Sequence, residues 1–193
     1  MSRVEPLTER RRRLVRADLA RAAIALFAER GFDAVTVDDI AAEAGISART
    51  FFRYFASKDD VVLDYERHLQ DRLLAAFDER PRTEGPVTAL RNAFLVTSHV
   101  APQDRASVMQ LGRILASAPG LRRLAHGAHA AENQPLIGCL AERMLVDPAI
   151  DPTPRAIVAA MSAVAAGEWW AWVDSGGDGD PAEGIGAALA LLE

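Results

Sequence analysis

The chain has 193 residues, half of them hydrophobic, which suits a helical core and is too apolar for a disordered polypeptide. Its net charge of −5 argues against a general polyanion binder, and its single cysteine, Cys139, excludes an internal disulfide. No apolar run reaches the roughly 18 residues of a membrane span, and the basic N-terminus lacks the apolar segment of a secretory signal. We therefore expect a cytoplasmic protein without a membrane segment.

The first predicted helix runs from about Arg10 to Arg30 and ends at Gly31, a residue suited to helix termination. Positive charge is clustered at its start, in Arg10 to Arg13 and Arg16. Residues 1–60 hold 11 Lys and Arg against 10 Asp and Glu, so this part is nearly neutral in sum and its positive charge is local to the cluster, in a chain that is acidic elsewhere. The cluster is either a solvated helix end or an arm that contacts DNA phosphates.

Two short helices around a glycine follow. Thr36 and Asp39 have the spacing of a capping box, Gly45 suits a tight turn, and Ser47 can cap a second helix over Ala48 to Phe55. A helix, a tight turn and a helix of about two turns are typical of a helix-turn-helix, whose second helix can lie in the DNA major groove. An αα-hairpin of an unrelated helical protein has the same local pattern.

The second helix of this pair has the side chains that DNA recognition needs. Arg49 and Arg53 fall on its outward side, and arginine can bind guanine through two hydrogen bonds, so we predict that they read bases. We predict that Thr50, Tyr54 and Lys58 bind phosphates. The complete predicted DNA-binding set is Thr36, Ser47, Ala48, Arg49, Thr50, Arg53, Tyr54 and Lys58.

These residues carry a resemblance to a known family. The DNA-binding signature of the TetR family of transcriptional regulators is similar to the run GFDAVTVDDIAAEAGISARTFFRYFASKDDVV, and the match extends from Leu14 to Leu63. The resemblance implies a regulator, most often a repressor, that binds a palindromic operator on double-stranded DNA. One position departs from the family, since Phe52 stands where a tyrosine is common and cannot offer that hydroxyl to a phosphate.

The rest of the chain also reads as helical. A long pattern runs from Ser57 to about Glu79, and further helices are predicted at Val87–Val100, Gln103–Ala118, Leu121–Val146 with a kink near Pro135, Arg155–Val173 and Pro181–Leu192. We therefore predict an all-α fold of about nine helices. Residues 1–56 are the predicted three-helix DNA-binding domain, and residues 57–193 are the predicted effector-binding and dimerisation domain.

The middle helices combine apolar residues with a few polar ones, a composition that suits a small-molecule pocket and equally a plain core. The segment Gly112 to Leu124 resembles the ligand domain of a TetR subgroup with acyl-CoA-like ligands, which makes a fatty acyl-CoA a candidate effector. The candidate pocket residues are Leu95, His99, Met109, Leu111, Leu115, Ile137, Leu140, Met144 and Trp169.

The face from Ala156 to Gly167 is rich in alanine and glycine and permits close helix packing, within one chain or between two. The family resemblance favours a homodimer, because TetR-like proteins pair their last two helices in a four-helix interface. The candidate interface residues are Ala156, Ala160, Ala163, Gly167 and Leu189.

Two other functions are compatible with parts of the sequence. His126, His129 and Glu132 lie three residues apart and could hold a metal ion in a small metal-dependent enzyme. Nothing else in the sequence converges on them, so solvated side chains are favoured. A helical protein-interaction module is the other alternative. We expect no catalytic residue, no metal and no cofactor.

Overall fold

Helices are the regular secondary structure of the residues that the structure describes. The structure is a computed structural model and describes residues 7–117 and 133–192. These residues form α-helices and no β-strand, which confirms the predicted fold class. The helices are α1 (Leu7–Arg30), α2 (Val37–Glu43), α3 (Ala48–Phe51), α4 (Lys58–Asp78), α5 (Pro86–Ser98), α6 (Arg105–Ser117), α7 (Gln134–Met144), α8 (Thr153–Asp174) and α9 (Pro181–Leu189), and a 3₁₀ turn covers Ala190–Leu192.

Two helix boundaries differ from the prediction. The helix α3 ends at Phe51, and the chain continues in a tighter turn in which the Tyr54 N–H donates to the Phe51 carbonyl at 2.8 Å. Pro135 lies in the first turn of α7 and does not kink a longer helix. A proline is tolerated there because the first turn leaves its N–H groups without intrahelical partners.

A first hydrophobic core holds α1, α2, α3 and the start of α4 together. Phe51 and Phe55 are 0% and 1% exposed in this core, and burial of such a side chain stabilises the fold by about 1.5–3 kcal/mol. The helix α6 enters the same core through Leu111, Ile114 and Leu115. The first three helices are therefore packed directly against the C-terminal part of the chain, in addition to being continuous with it through α4.

A second core lies between the end of α4 and helices α5, α7, α8 and α9. Its fully buried members include Leu90, Leu140, Val158 and Leu189. The helix α4 thus borders the first core at its N-terminal end and the second core at its C-terminal end. Trp169 of α8 packs against both cores and against a small third cluster around Met109.

The helix α8 is long and apolar enough to cross a bilayer by length and composition, with a mean hydropathy of 1.3 over its most apolar window. This differs from the expectation that no such segment exists. The helix packs instead against α6, α7 and α9, and Val158 and Met161 on its inner side are at most 1% exposed. The core helix of a globular protein has the same length and composition.

Candidate DNA-binding and effector sites

The turn between α2 and α3 is built as the sequence predicted. The Thr36 N–H donates to Asp39 Oδ2 at 2.8 Å, and the Asp39 N–H donates to Thr36 Oγ1 at 3.2 Å, which completes a capping box. Gly45 follows with a φ of +67°, a conformation that glycine adopts without steric cost. The Ile46 N–H then donates to the Ala41 carbonyl at 2.9 Å and closes the turn.

Thr36 is a helix cap in the structure rather than a phosphate ligand. Its hydroxyl donates to the Asp39 carboxylate, so its single proton is already used. Hydrogen bonds from the Thr36 side chain and backbone hold the pKa of Asp39 below its ordinary value, and burial opposes them only weakly. A carboxylate that stays ionised beside Thr36 disfavours an approaching phosphate, so the structure lends no support to the predicted DNA contact at this position, which stays a prediction.

The recognition helix α3 and the turn that follows it present one arginine each, Arg49 and Arg53, to the exterior. Ser47 caps it, since the Thr50 N–H donates to Ser47 Oγ at 3.2 Å. Arg49 and Arg53 are exposed, and within the described part of the chain their side chains make no hydrogen bond or ion pair. Because Phe51 is buried on the opposite side, the rotation of the helix is fixed with both arginines outward.

The remaining polar groups of α3 are arranged around these arginines. The Ser47 and Thr50 hydroxyl oxygens are 2.9 Å apart, so one hydroxyl donates to the other and one proton stays free for an external acceptor. Ala48 and Tyr54 are half-buried, and Tyr54 packs against the first core. The structure therefore leaves Ser47, Thr50 and Tyr54 as candidate phosphate ligands.

Lys58 is bound to the protein itself. Its Nζ donates to the carbonyl oxygens of Phe32 at 2.7 Å, Asp33 at 3.3 Å and Val35 at 2.9 Å. It also lies 4.5 Å from the centroid of the Phe32 ring. An ammonium group has three donors, and these contacts use all of them, so Lys58 has a structural role in the protein without DNA, and its phosphate contact stays a prediction.

The N-terminal arginine cluster contains one side chain that is bound within the protein and others that are exposed. Arg16 points inward, where it donates to the Tyr54 carbonyl and to Asp64 Oδ1 and lies 4.4 Å from the centroid of the Phe55 ring. Arg11 and Arg12 are exposed and available to a phosphate, while the side chains of Arg10 and Arg13 lie outside the described residues. A DNA arm, if the cluster forms one, therefore excludes Arg16.

A charged network joins α1 to the start of α4, and the sequence reading missed it. Asp64 is 7% exposed and pairs with Arg16, and Arg67 Nη2 lies 3.4 Å from Asp64 Oδ1 and 2.9 Å from Asp60 Oδ1. Burial raises the pKa of Asp60, but hydrogen bonds from Arg67 and the Ala56 N–H outweigh it and bring the pKa below its ordinary value. The sequence does contain a signal for this network. Asp64 follows the buried Val61 by three positions, so it lies on the apolar side of the helix.

The predicted pocket residues are spread over different parts of the protein. Leu111 and Leu115 belong to the first core, Ile137 and Leu140 to the second, and Met109 to the third cluster. Leu95 and Met144 are half-buried, and Trp169 alone of this set packs against all three clusters among the described residues. The predicted set is thus distributed over both cores and the third cluster.

His99 is exposed and ties two helices together. Its Nδ1 is hydrogen-bonded to Asp180 Oδ2, while Asp180 Oδ1 accepts from the N–H groups of Val100 at 3.2 Å and Ala182 at 3.1 Å. Burial raises the pKa of Asp180, but these hydrogen bonds together bring it below its ordinary value. The pair fixes the end of α5 to the start of α9.

The helix α6 forms a direct contact between the two parts of the chain. Its inner face packs on the first core, and its other side crosses α8 at Gly112. A Cβ atom at Gly112 would lie 2.9 Å from Val173 Cγ2 and 3.3 Å from Trp169 Cη2. The close crossing therefore depends on glycine, and a shift of α8 would be passed to α6.

The small residues of α8 lie mostly on the surface of the protomer. Ala156, Ala160, Ala163 and Gly167 are all exposed, and a Cβ built on Gly167 would contact nothing. Leu189, in contrast, is 0% exposed within the second core, so it is buried in the protomer itself and its place at the interface has no support from its exposure. The exposed leucines at this end are in the 3₁₀ turn, Leu191 and Leu192.

The alternative metal site lies outside the described residues, since His126, His129 and Glu132 fall in residues 118–132. Within the ranges 7–117 and 133–192, no group of three or more His, Cys, Asp or Glu side chains is placed to hold a metal ion.

Comparison with known families identifies both parts of the chain. Residues 19–65 match the family model described as bacterial regulatory proteins, tetR family, and residues 84–193 match the model of the MftR C-terminal domain. The first match contains α2, α3 and the start of α4, and the second contains α5 to α9.

Individual proteins show the same similarity. The HTH-type transcriptional regulator TcmR of Streptomyces glaucescens is 34% identical over 180 residues, which cover 88% of this chain and 79% of TcmR. The HTH-type transcriptional repressor KstR2 of Mycobacterium tuberculosis is 36% identical over 95 residues, or 49% of this chain and 48% of KstR2. The structure of Thermus thermophilus FadR, a TetR-family repressor in complex with lauroyl-CoA, has a TM-score of 0.55 and 26% identity over 92% of each chain.

Proposed function

The chain belongs to the TetR family of bacterial regulatory proteins and is a DNA-binding transcriptional regulator; on that premise we propose that it is a repressor released from a palindromic operator by an apolar or amphipathic effector. One observation carries this proposal. The recognition helix α3 is anchored by buried Phe51 and leaves Arg49 and Arg53 exposed and unpaired.

The two arginines read guanines in the major groove, where each can make two hydrogen bonds to one base. Thr50, Ser47 and the half-buried Tyr54 contact phosphates on either side and fix the position of the helix. Ala48 lies against the groove without a donor of its own. Lys58 contributes indirectly, because it holds the loop before α2 against the start of α4.

The operator is read by a homodimer. One short recognition helix offers too few base contacts for strong specificity, so two copies are needed on two half-sites. The exposed Ala160, Ala163 and Gly167 on the apolar helix α8 support an interface formed by α8 and α9. Small residues let the backbones of two helices approach closely. Burial of this face in a dimer interface would also account for the apolar residues of α8 that lie outside the core.

The effector is a ligand of the fatty acyl-CoA class, bound among α5 to α8. The FadR relative with bound lauroyl-CoA supports this class. The contact of α6 with both α8 and the first core supplies a path by which a ligand among these helices displaces the DNA-binding part. A ligand can shift the equilibrium only by its differential affinity for the two arrangements.

The functional division is residues 1–56 for DNA binding and residues 57–193 for effector binding and dimerisation. The first core supports a slightly later physical boundary, since Val61 and Val62 of α4 are buried in it. The role of the chain is regulatory rather than catalytic, and it acts in the cytoplasm, where bacterial DNA is found.

Titration of the protein with fluorescent DNA from its own upstream region tests the proposal. Binding should be specific, and acyl-CoAs of increasing chain length should weaken it. By reciprocity, saturating operator should weaken acyl-CoA binding by the same factor. Absence of specific binding would reject the DNA-binding role, whereas equal acyl-CoA affinity with and without operator would reject that ligand as the effector.

A further inference from the structure

We propose that Phe52 recognises thymine methyl groups in the operator and so acts as a specificity-determining residue beside Arg49 and Arg53. The inference rests on the proposed DNA-binding function and specifies which bases the recognition helix selects. It starts from an aromatic ring that remains more than half exposed in the folded protein.

Phe52 is exposed where the rest of its segment buries its large apolar side chains. Its side chain is 56% exposed, and among residues 31–63 it is the one large hydrophobic residue on the surface. Phe51 and Phe55, which flank it in sequence, are 0% and 1% exposed. The ring is therefore directed away from the core that holds α3 in place.

The ring is nevertheless held in a defined position. The Phe52 N–H donates to the Ala48 carbonyl at 3.0 Å and ends the recognition helix with αR backbone angles. Its ring packs edge-to-face on Phe51, with 5.7 Å between centroids and an interplanar angle of 89°. A ring fixed in this way is pre-organised for a contact rather than free to fold back on the surface.

The surroundings of the ring specify a nucleic-acid partner. Arg49 lies three residues before Phe52, on the same side of the helix, and Arg53 follows directly. Both arginines are exposed and unpaired within the described chain, so a partner that covers the ring also meets two positive charges. Duplex DNA supplies the complementary charge.

The chemistry of the major groove then identifies the group that the ring contacts. A phenyl ring can neither donate to a phosphate nor bond to the polar edge of a base. The apolar group that base edges present in the major groove is the C5-methyl of thymine. We assign Phe52 to one or more thymines next to the guanines that Arg49 and Arg53 bind.

The test uses the full-length dimer and an operator selected by that protein from a random pool of duplexes. Each thymine in the selected sequence is replaced in turn by deoxyuridine, which removes only the methyl group. Dissociation constants are measured for the wild type, Phe52→Ala and Phe52→Leu. Circular dichroism and light scattering confirm that each variant is folded and dimeric.

At one thymine in each half-site, replacement with deoxyuridine should weaken wild-type binding by about four-fold. This is the effect expected from the loss of one buried methyl group. Phe52→Ala should bind thymine and deoxyuridine operators equally, and Phe52→Leu should keep part of the preference. Replacement of the same base pair with 5-methylcytosine paired to guanine should retain more affinity than unmethylated cytosine.

Three results would overturn the inference. Wild-type protein could bind its selected operator with no loss at any deoxyuridine, which would leave the DNA-binding role intact. Phe52→Ala could keep the full deoxyuridine effect, which would assign the methyl contact to another residue. Phe52→Ala could alter oligomeric state with no change in base preference, which would assign the ring to a protein contact.

Discussion

The ammonium nitrogen of Lys58 lies 2.7 Å from the carbonyl oxygen of Phe32 and donates to it across the space between α4 and the loop before α2. Two further carbonyls accept from the same nitrogen, so one side chain of α4 satisfies three backbone oxygens of that loop. The loop leads into Thr36 and the first helix of the helix-turn-helix. The orientation of that motif on α4 is therefore set by Lys58.

Lys58→Met should destabilise the protein without altering its phosphate contacts. The substitution keeps an apolar stem but removes three donors, and we expect the free energy of unfolding to fall by about 1.5–3 kcal/mol. Denaturant unfolding measures this loss. The slope of log affinity against log salt concentration should stay unchanged. An unchanged free energy of unfolding together with a smaller salt slope would show that Lys58 is a phosphate ligand.

Arg53→Ala should weaken binding to the specific operator by about 1–3 kcal/mol and relax the preference at one base position. The reason is that its guanidinium has no partner in the described chain and so is available to a base. Fluorescence anisotropy with specific and random duplexes gives both affinities. Arg72→Ala is the matched control and should change neither affinity, because Arg72 is an exposed arginine on α4 about 20 Å from the start of that helix. Equal losses on specific and random DNA would make Arg53 a phosphate ligand.

Ala163→Glu should convert the dimer to monomers, because a buried carboxylate without a partner is strongly unfavourable at a helix interface. Sedimentation velocity at micromolar concentration measures the change. Ala75→Glu serves as control, since Ala75 is an exposed alanine on α4 outside the proposed interface. An intact Ala163→Glu dimer would exclude this face of α8 from the interface, and a monomeric wild type would exclude dimerisation altogether.

Asp64→Asn should lower the free energy of unfolding by roughly 1.5–3 kcal/mol, the usual effect of a lost hydrogen bond to a charged partner. The Asp64 and Arg16 side chains are only 10% and 21% exposed, so solvent screens their interaction weakly. Asp18→Asn removes the same chemistry from the exposed Asp18–Arg21 pair, whose side chains are 66% and 78% exposed. It should have an effect of less than about 1 kcal/mol. Similar losses in the two variants would contradict the structural role of Asp64.

The local structure of the DNA-binding segment follows from the sequence alone. Thr36 and Ser47 were predicted as helix caps from the residues that follow them, and both form those caps. Arg49 and Arg53 were predicted to lie on the outward side, and both are exposed. Capping and helical periodicity involve residues within four positions of each other, so a single sequence contains the information.

The functions of individual polar residues depend on contacts between distant parts of the chain. Lys58 binds carbonyls that precede it by 23 to 26 residues, and Arg16 binds an aspartate 48 residues later. Without the fold, an amino or guanidinium group beside a recognition helix is indistinguishable from a phosphate ligand. The same limit applies to Leu111 and Met109, which follow one helical pattern but enter different cores.

The crossing of α6 and α8 at Gly112 has a genetic consequence. Any larger residue there must displace Val173 or Trp169, and the displaced helix also bears on the core of the helix-turn-helix. Such a mutation would displace the same helices as a bound effector, so the protein would leave the operator without an inducer. Strains selected for constitutive expression from the operator would therefore carry changes at Gly112 as well as in α3, although this glycine never meets DNA.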